Sequence, residues 1–345
     1  MEQRLIEQWY GESERAAPVL QSLSWLYGGV IRLRTKAYAA GWLSSHRVGK
    51  PVVVVGNLTV GGTGKTPLVA WLARKLAQLN FKVGIVSRGY GRSYDSPHLV
   101  EPDSSWRDVG DEPLLLRCRT GCLTMVGRDR VAAAGALVDH GVDVIIADDG
   151  LQHLRLGRDC EIVVVDGARG FGNGRLLPAG PLRERTERLL RTDVTVVNGT
   201  PEHRSLKQAG HSLPPTALTM STVSVNAHRL DRSEGARALE QFRGERVHAV
   251  AAIGNPSRFF RDLRERGIEL IEHPFADHYP FEASDLDFGD RLSVLMTEKD
   301  AVKCRAFASP QLWYVPIAAQ FNEAQERELL NSVLRKTGLA VIPKG

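Results

Sequence analysis

The stretch "PVVVVGNLTVGGTGKTPLVAWLARKL" at 51–76 constrains the fold more than any other part of the chain. The valine run reads as a strand buried on both faces, and "KTPLVAWLARKLAQL" at 65–79 reads as a helix. Glycines between them let successive backbone amides curl around an anion at the helix N-terminus, where the peptide dipoles also favour negative charge. The pattern is a P-loop, G-x-x-x-x-G-K-[ST], with Thr59 at the first glycine position and Gly61 and Gly62 supplying the lost freedom. Thr59, Val60, Gly61, Gly62, Thr63, Gly64, Lys65 and Thr66 are the expected nucleotide-binding residues. Lys65 is expected to neutralise the β- and γ-phosphates and Thr66 to offer its hydroxyl to Mg²⁺.

Further short apolar runs follow at 82–91, 122–128, 142–150, 160–167 and 193–199, mostly alternating with helical patterns. Continuous apolar strands of this kind predict an α/β fold with a mostly parallel sheet covered by helices on both faces. Composition shifts at "GTPEHRSLKQAGHSLPP" (199–215), where the main boundary is expected. The predicted division is an N-terminal helical segment at 1–45, a P-loop domain at 46–212 and a smaller α/β domain at 213–345 closing over the cleft.

The N-terminal segment has its own chemistry. Residues 15–50 carry six basic side chains (Arg15, Arg32, Arg34, Lys36, Arg47, Lys50) and no acidic ones. Val19, Leu23, Leu26, Val30, Leu33 and Ala37 recur at helical spacing, while Gln21, Gly28, Arg32 and Thr35 mark another face. Trp25, Tyr27, Tyr38 and Trp42 suit a headgroup layer, and the basic residues suit anionic lipid. The uncharged stretch 18–31 is shorter than the roughly 20 residues that cross a bilayer, so the helix is expected to lie on a membrane surface without spanning it. A helix packed on the domain behind it would also need an apolar stripe and is the competing reading. The opening "MEQRLIEQWYGESERAAP" is acidic where a secretory signal is basic, so no export signal is expected. A net charge of +5 is too mild to point to nucleic acid, and the four cysteines have neither a zinc nor a disulfide spacing.

A P-loop needs an acid at the end of a neighbouring strand. In "VDVIIADDG", Asp148 or Asp149 falls there, and adjacent carboxylates repel unless a cation joins them. The sequence Thr297-Glu298-Lys299-Asp300 places its lysine one residue late for a guanine-reading motif, and Val60 replaces the extra lysine of deviant P-loop ATPases.

Taken in order, "NLTVGGTGKTP", "SRGYGR", "VGDEP", "DDGLQHLRL", "GNGRLLPAGPLRE", "FADHYPF" and "TEKDAVKC" resemble the tetraacyldisaccharide 4'-kinase (lipid A 4'-kinase) family. The resemblance runs from the N-terminal helix to about Phe321. It implies ATP-dependent phosphorylation of the 4'-hydroxyl of an acylated glucosamine disaccharide 1-phosphate, giving lipid IVA. It also implies peripheral or monotopic attachment at the cytoplasmic face of the bacterial inner membrane, with no obligate protein partner. A nucleotide-driven switch or assembly factor docked on a membrane partner is the alternative.

Residue roles follow from the same match. Asp111 of "VGDEP" corresponds to the family's catalytic aspartate and is the expected general base, although an acid there also suits a helix N-terminus. His278 of "FADHYPF" corresponds to a histidine that pairs with that aspartate, with Asp277 beside it. Lys65 completes the catalytic set. Thr66, Asp148, Asp149 and Glu112 are the metal candidates, and Arg88, Gln152, His153, Arg175 and Arg183 the substrate or phosphate candidates. Thr297, Lys299 and Asp300 either stabilise the second domain or line the nucleotide side.

Overall fold

The computed structural model describes residues 8–11, 18–89, 96–207, 213–231, 233 and 235–340. Arg15, the "YGR" of "SRGYGR" and the predicted boundary at 212 lie outside them.

After helix α1 (Pro18–Ala39) the chain builds β1 (Val52–Gly56), α2 (Lys65–Gln78), β2 (Val83–Ser87), β3 (His98–Val100), α3 (Asp111–Thr120), β4 (Leu123–Val126), α4 (Arg130–Asp139), β5 (Val144–Asp148), β6 (Cys160–Asp166) and β7 (Val194–Asn198). Then come β8 (Leu218–Val223), β9 (Asn226–Arg229), β10 (Ala236–Ala238), β11 (Arg246–Ala251), α5 (Pro256–Glu265), β12 (Glu269–Pro274), β13 (Val294–Thr297), α6 (Glu298–Cys304), β14 (Leu312–Val315), β15 (Ala318–Gln320) and α7 (Glu323–Thr337). A nine-stranded sheet has the order β15-β8-β7-β6-β1-β5-β2-β4-β3, and a six-stranded sheet the order β10-β9-β14-β13-β11-β12.

Strand β1 lies between β5 and β6, parallel to both. Its Val53 and Val55 enter one core with α2, while Val52 and Val54 enter the other, so both faces are sealed as the valine run predicts. Strands β2 to β5 lie on one side of β1 and β6 to β8 on the other, so the direction of the connections reverses about β1. Its carboxyl end is therefore a topological switch point, where a crevice opens for ligands.

The two sheets divide the chain differently from the expected cut at 212/213. β8 adds to the first sheet parallel to β7, β15 adds antiparallel to β8, and Leu329 and Val333 of α7 complete the core beneath α2. The chain leaves the first sheet after β8, builds the second, and returns. Strand-length segments of 218–223 and 318–320 carry too little pattern to show which sheet recruits them. The polar stretch after β2 also yields an edge strand, β3, antiparallel to β4.

A further apolar cluster joins the two units: Val302 of α6 packs with Val100, Val109, Leu114, Leu115 and Val126. Arg119 and Glu298, both nearly buried, add an ion pair at 3.0 Å across the same interface.

Helix α1 seats on the first unit by its small polar face. Ser24 and Gly28 are its buried residues. Ser24 Oγ donates to Leu176 O at 2.8 Å, Tyr27 Oη to Arg183 O at 3.1 Å and Arg34 Nη1 to Gln152 O at 3.0 Å. A Cβ on Gly28 would stand 2.8 Å from Leu176 Cδ1, so a larger residue here would have to displace the Leu176 side chain. The apolar stripe points the other way: Val19, Leu23, Leu26, Val30 and Leu33 are 47–70% exposed. Among the described residues no helix is long and apolar enough to cross a membrane.

Candidate active site

The phosphate loop closes on itself before any ligand is considered. Gly64 takes φ +94 at the start of α2, a backbone state that side-chain-bearing residues avoid. Buried Asn57 donates from Nδ2 to Thr59 O at 2.7 Å, and its Oδ1 accepts from Lys65 Nζ at 3.1 Å. This brace holds the ammonium over the loop. Val60 N donates to Pro181 O at 2.9 Å and Thr59 bridges Leu182, so these two residues form the wall of the loop. The Val60 amide is thus committed to protein, which leaves amides from Gly61 onward to face an anion. Arg169, held by Asp166 at 3.2 Å, reaches over to Gly62 O.

Beyond the carboxyl end of β5 the paired aspartates part company. Asp149 occupies φ +47, and Arg183 Nη1 donates to both its oxygens at 3.0 and 2.9 Å, with Lys65 Nζ at 3.7 Å. Burial would raise its carboxyl, but Lys65 and Arg183 outweigh it and hold it at about 2. Asp148 is 2% exposed, and its Oδ1 has no hydrogen-bond partner. Burial, followed by the charges of Glu112 and Asp149, pushes it up to about 7. A buried carboxylate oxygen without a partner fits a cation. Among the described residues no group of three or more His, Cys, Asp and Glu side chains forms a metal cage. A magnesium ion, which takes one or two carboxylates and keeps phosphate and water ligands, suits such a site better than zinc.

The base candidate sits at the first turn of α3. Asp111 is 4% exposed; its Oδ1 accepts from Glu112 N at 2.8 Å, and its Oδ2 lies 2.8 Å from His278 Nδ1. His278 is contributed by the second unit and occupies φ +61, where a non-glycine residue is strained. Burial would raise Asp111, but the His278 hydrogen bond and the Lys299 charge outweigh it and keep the carboxyl below its usual range. The same hydrogen bond raises His278. Lys299 Nζ stands among four neighbours: Glu112 Oε1 at 3.1 Å, Asp277 Oδ1 at 3.3 Å, His278 Nε2 at 3.5 Å and Asp111 Oδ2 at 4.0 Å. Burial opposes its charge, yet Glu112, Asp111 and Asp277 prevail and raise it. Thr297 and Asp300 do something else: Thr297 caps α6 by accepting from Asp300 N, and Asp300 accepts from Ala252 N at 2.9 Å and pairs with buried Lys303 at 2.8 Å.

Not every predicted residue gathers here. Gln152 Nε2 donates to Asn57 O and Glu184 Oε1, at 3.2 and 2.9 Å, clipping the loop to α1 through Arg34. His153 is pushed down to about 4 by burial and then by Arg130, so it is neutral. Arg175 lines a separate cleft of about 350 Å³ with Ser24, Trp25, Arg32 and Arg185, against α1. Arg88 is exposed after β2. Asn57, Arg169 and Arg130 are further site residues that no sequence motif singles out. Arg130 is buried near both aspartates, with Nη1 unpartnered. In sequence it opens an apolar helix, a position that reads as surface.

The arrangement is a strand-end phosphate loop, a buried carboxylate for a cation, and a second carboxylate held by histidine. A family model described as tetraacyldisaccharide-1-P 4'-kinase, LpxK, matches residues 16–335. The chain is 49% identical to a tetraacyldisaccharide 4'-kinase of Alkalilimnicola ehrlichii over 92% of this chain and 93% of that protein. It is 48% identical to one of Stenotrophomonas maltophilia, over 92% of each. Among solved structures, LpxK from Aquifex aeolicus in complex with ATP superposes with a TM-score of 0.73 at 28% identity, covering 92% of this chain and 98% of that one. Site geometry, sequence and fold agree, and the chain belongs to the tetraacyldisaccharide-1-phosphate 4'-kinase family.

Proposed function

We propose that this kinase of lipid A biosynthesis phosphorylates its disaccharide with Asp111 as general base, His278 as its orienting partner and the phosphate loop as the ATP site. The observation that carries the reading is the 2.8 Å Asp111–His278 contact, made between the two units beside the P-loop cleft. A sugar hydroxyl is a poor nucleophile until its proton has an acceptor. Asp111 Oδ2 takes the 4'-hydroxyl proton as the sugar oxygen bonds to the γ-phosphorus and the bond to ADP breaks. The amides of Gly61 through Lys65 and the Lys65 ammonium hold the transferring phosphates in place. Asp148 and the Thr66 hydroxyl are the groups that would hold Mg²⁺, which when bound neutralises charge on the phosphate oxygens. Asp149 and Glu112 instead carry Arg183 and Lys299, and orient those cations toward the cleft.

An acylated disaccharide stays in its bilayer, so the enzyme must come to it. The exposed α1 stripe and the acid-free basic run support docking on an anionic membrane surface, at the cytoplasmic side where ATP is available. A partner-driven nucleotide switch has no need of a buried carboxylate–histidine pair. The test is direct: disaccharide 1-phosphate and Mg-ATP should give a 4'-phosphorylated product with the wild type, and the same product at a measurable rate at least about 100-fold lower with Asp111→Asn. Full product formation by Asp111→Asn would remove the base from the mechanism.

A further inference from the structure

We propose that Lys299 is the positioning residue of the catalytic base, a role that rests on Asp111 being that base. An ionised carboxylate only accepts hydrogen bonds, so the 2.8 Å contact requires the His278 proton on Nδ1. In the neutral imidazole, the form that the adjacent Lys299 charge favours, that leaves Nε2 with a lone pair. The Lys299 ammonium, a donor without acceptor capacity, stands 3.5 Å from that nitrogen. In this arrangement of donors both imidazole nitrogens are matched, which favours the Nδ1–H tautomer and holds the ring's tilt. The same ammonium draws Glu112 at 3.1 Å and Asp277 at 3.3 Å, so it shares the Asp277 carboxylate that also accepts from His278 N at 3.0 Å and stands 3.9 Å from His278 Nε2.

The placement of Lys299 also ties this alignment to the meeting of the two units. Lys299 leaves the first turn of α6, behind β13, whereas Asp111 and Glu112 begin α3 on the first unit. The position a Cβ on Gly254 would take lies 3.5 Å from Asp277 Oδ2 and 3.7 Å from Gly62 N, so the loop carrying it reaches the phosphate loop as well. Lys299 therefore acts where the second unit meets the first, through Asp111 and His278.

A plain interface latch would sit in the same place, and Arg119 provides the comparison. It bonds Glu298 at 3.0 Å in the same interface, away from the Asp111–His278 pair. The experiment measures kcat, KM for ATP, and Tm for Lys299→Met, Lys299→Arg, Arg119→Met, Asp111→Asn and the Lys299→Met/Asp111→Asn double variant of the full chain. Lys299→Met should lower kcat about 30-fold, within the roughly 10²–10⁴ that a general base supplies, and leave KM for ATP within about twofold. In the Asp111→Asn background it should cost less than about twofold, because the group it positions is gone. Lys299→Arg keeps the positive charge and the fold but spreads its donors over a fork, and should lower kcat about tenfold at unchanged Tm. Arg119→Met should lower Tm with kcat within about threefold. Wild-type kcat in both Lys299 variants overturns the proposal, as does a loss that persists undiminished in the Asp111→Asn background or tracks Tm as Arg119→Met does. If Asp111→Asn itself retains wild-type kcat, the base reading fails first, and that outcome is distinct from all the others.

Discussion

The apolar stripe of α1 offers the most quantitative test of how this enzyme reaches its substrate. Leu26, Val30 and Leu33 are 67%, 56% and 65% exposed, so replacing all three with alanine removes side-chain carbon from the surface and none from the core. Alanine is the best helix former, so the helix itself should be preserved. At about 0.8 kcal/mol per buried methylene, full immersion of the removed carbons would be worth about 6 kcal/mol. A helix lying in the interface immerses roughly half of that surface, which leaves about 3 kcal/mol, or a 100- to 200-fold weaker partition. Flotation with vesicles containing one-third anionic lipid measures the partition coefficient, and thermal melting in lipid-free buffer measures the fold. The triple variant should lose vesicle binding by about two orders of magnitude while its stability stays within about 0.5 kcal/mol of wild type. Unchanged vesicle binding would refute the docking argument. A large fall in Tm would show that the stripe is covered by protein in solution.

Other outcomes follow from the site. Lys65→Ala should abolish turnover with little change in Tm, because Asp149 keeps its two bonds from Arg183; near-normal kinase activity would remove the loop lysine from the mechanism. Asp111→Ala and His278→Ala should each lower kcat about 100-fold or more, and together cost little beyond the worse one; multiplicative losses would show that they work independently. Gly64→Ala forces φ +94 on a side-chain-bearing residue and drives a methyl into Asn198 Nδ2, so it should cost about 2 kcal/mol in a denaturant titration and eliminate ATP binding. His153 resists protonation to about 4, whereas the unfolded imidazole takes its proton near 6.5. The unfolded state then binds more protons across that window, so stability present above pH 6.5 is lost as pH falls toward 4. Melting His153→Gln alongside wild type from pH 7.5 to 4.5 should show a flatter acid slope in the variant; parallel curves would remove His153 as a source.

Much of this molecule is written locally. The valine run of β1 is legible because a strand buried on both faces needs apolar residues at every position, and both cores receive them alternately. The phosphate loop is legible because its glycines and Gly64-Lys65-Thr66 perform their task within one turn of chain. Asp148 and Asp149 announce themselves at a strand end, but only the fold separates them, giving one to Arg183 and leaving the other buried with a free oxygen. Asp111 and His278, 167 positions apart, could be paired in advance only through family resemblance, since no local rule brings them together. Lys299 was visible as part of a short motif, yet its partner Glu112 is 187 positions away and its neighbours Thr297 and Asp300 turn to capping and bracing. The aromatic and basic residues of α1 favour a membrane-facing stripe in sequence, but the period does not decide it, because an amphipathic period is the same whether its apolar face meets a core or a membrane. The close approach of Gly28 to Leu176, and the polar anchors around it, turn that face outward. Periodicity and glycine placement fix what forms within a few residues; which face is covered, and which distant charges meet, is decided by packing between segments that the chain brings together only on folding.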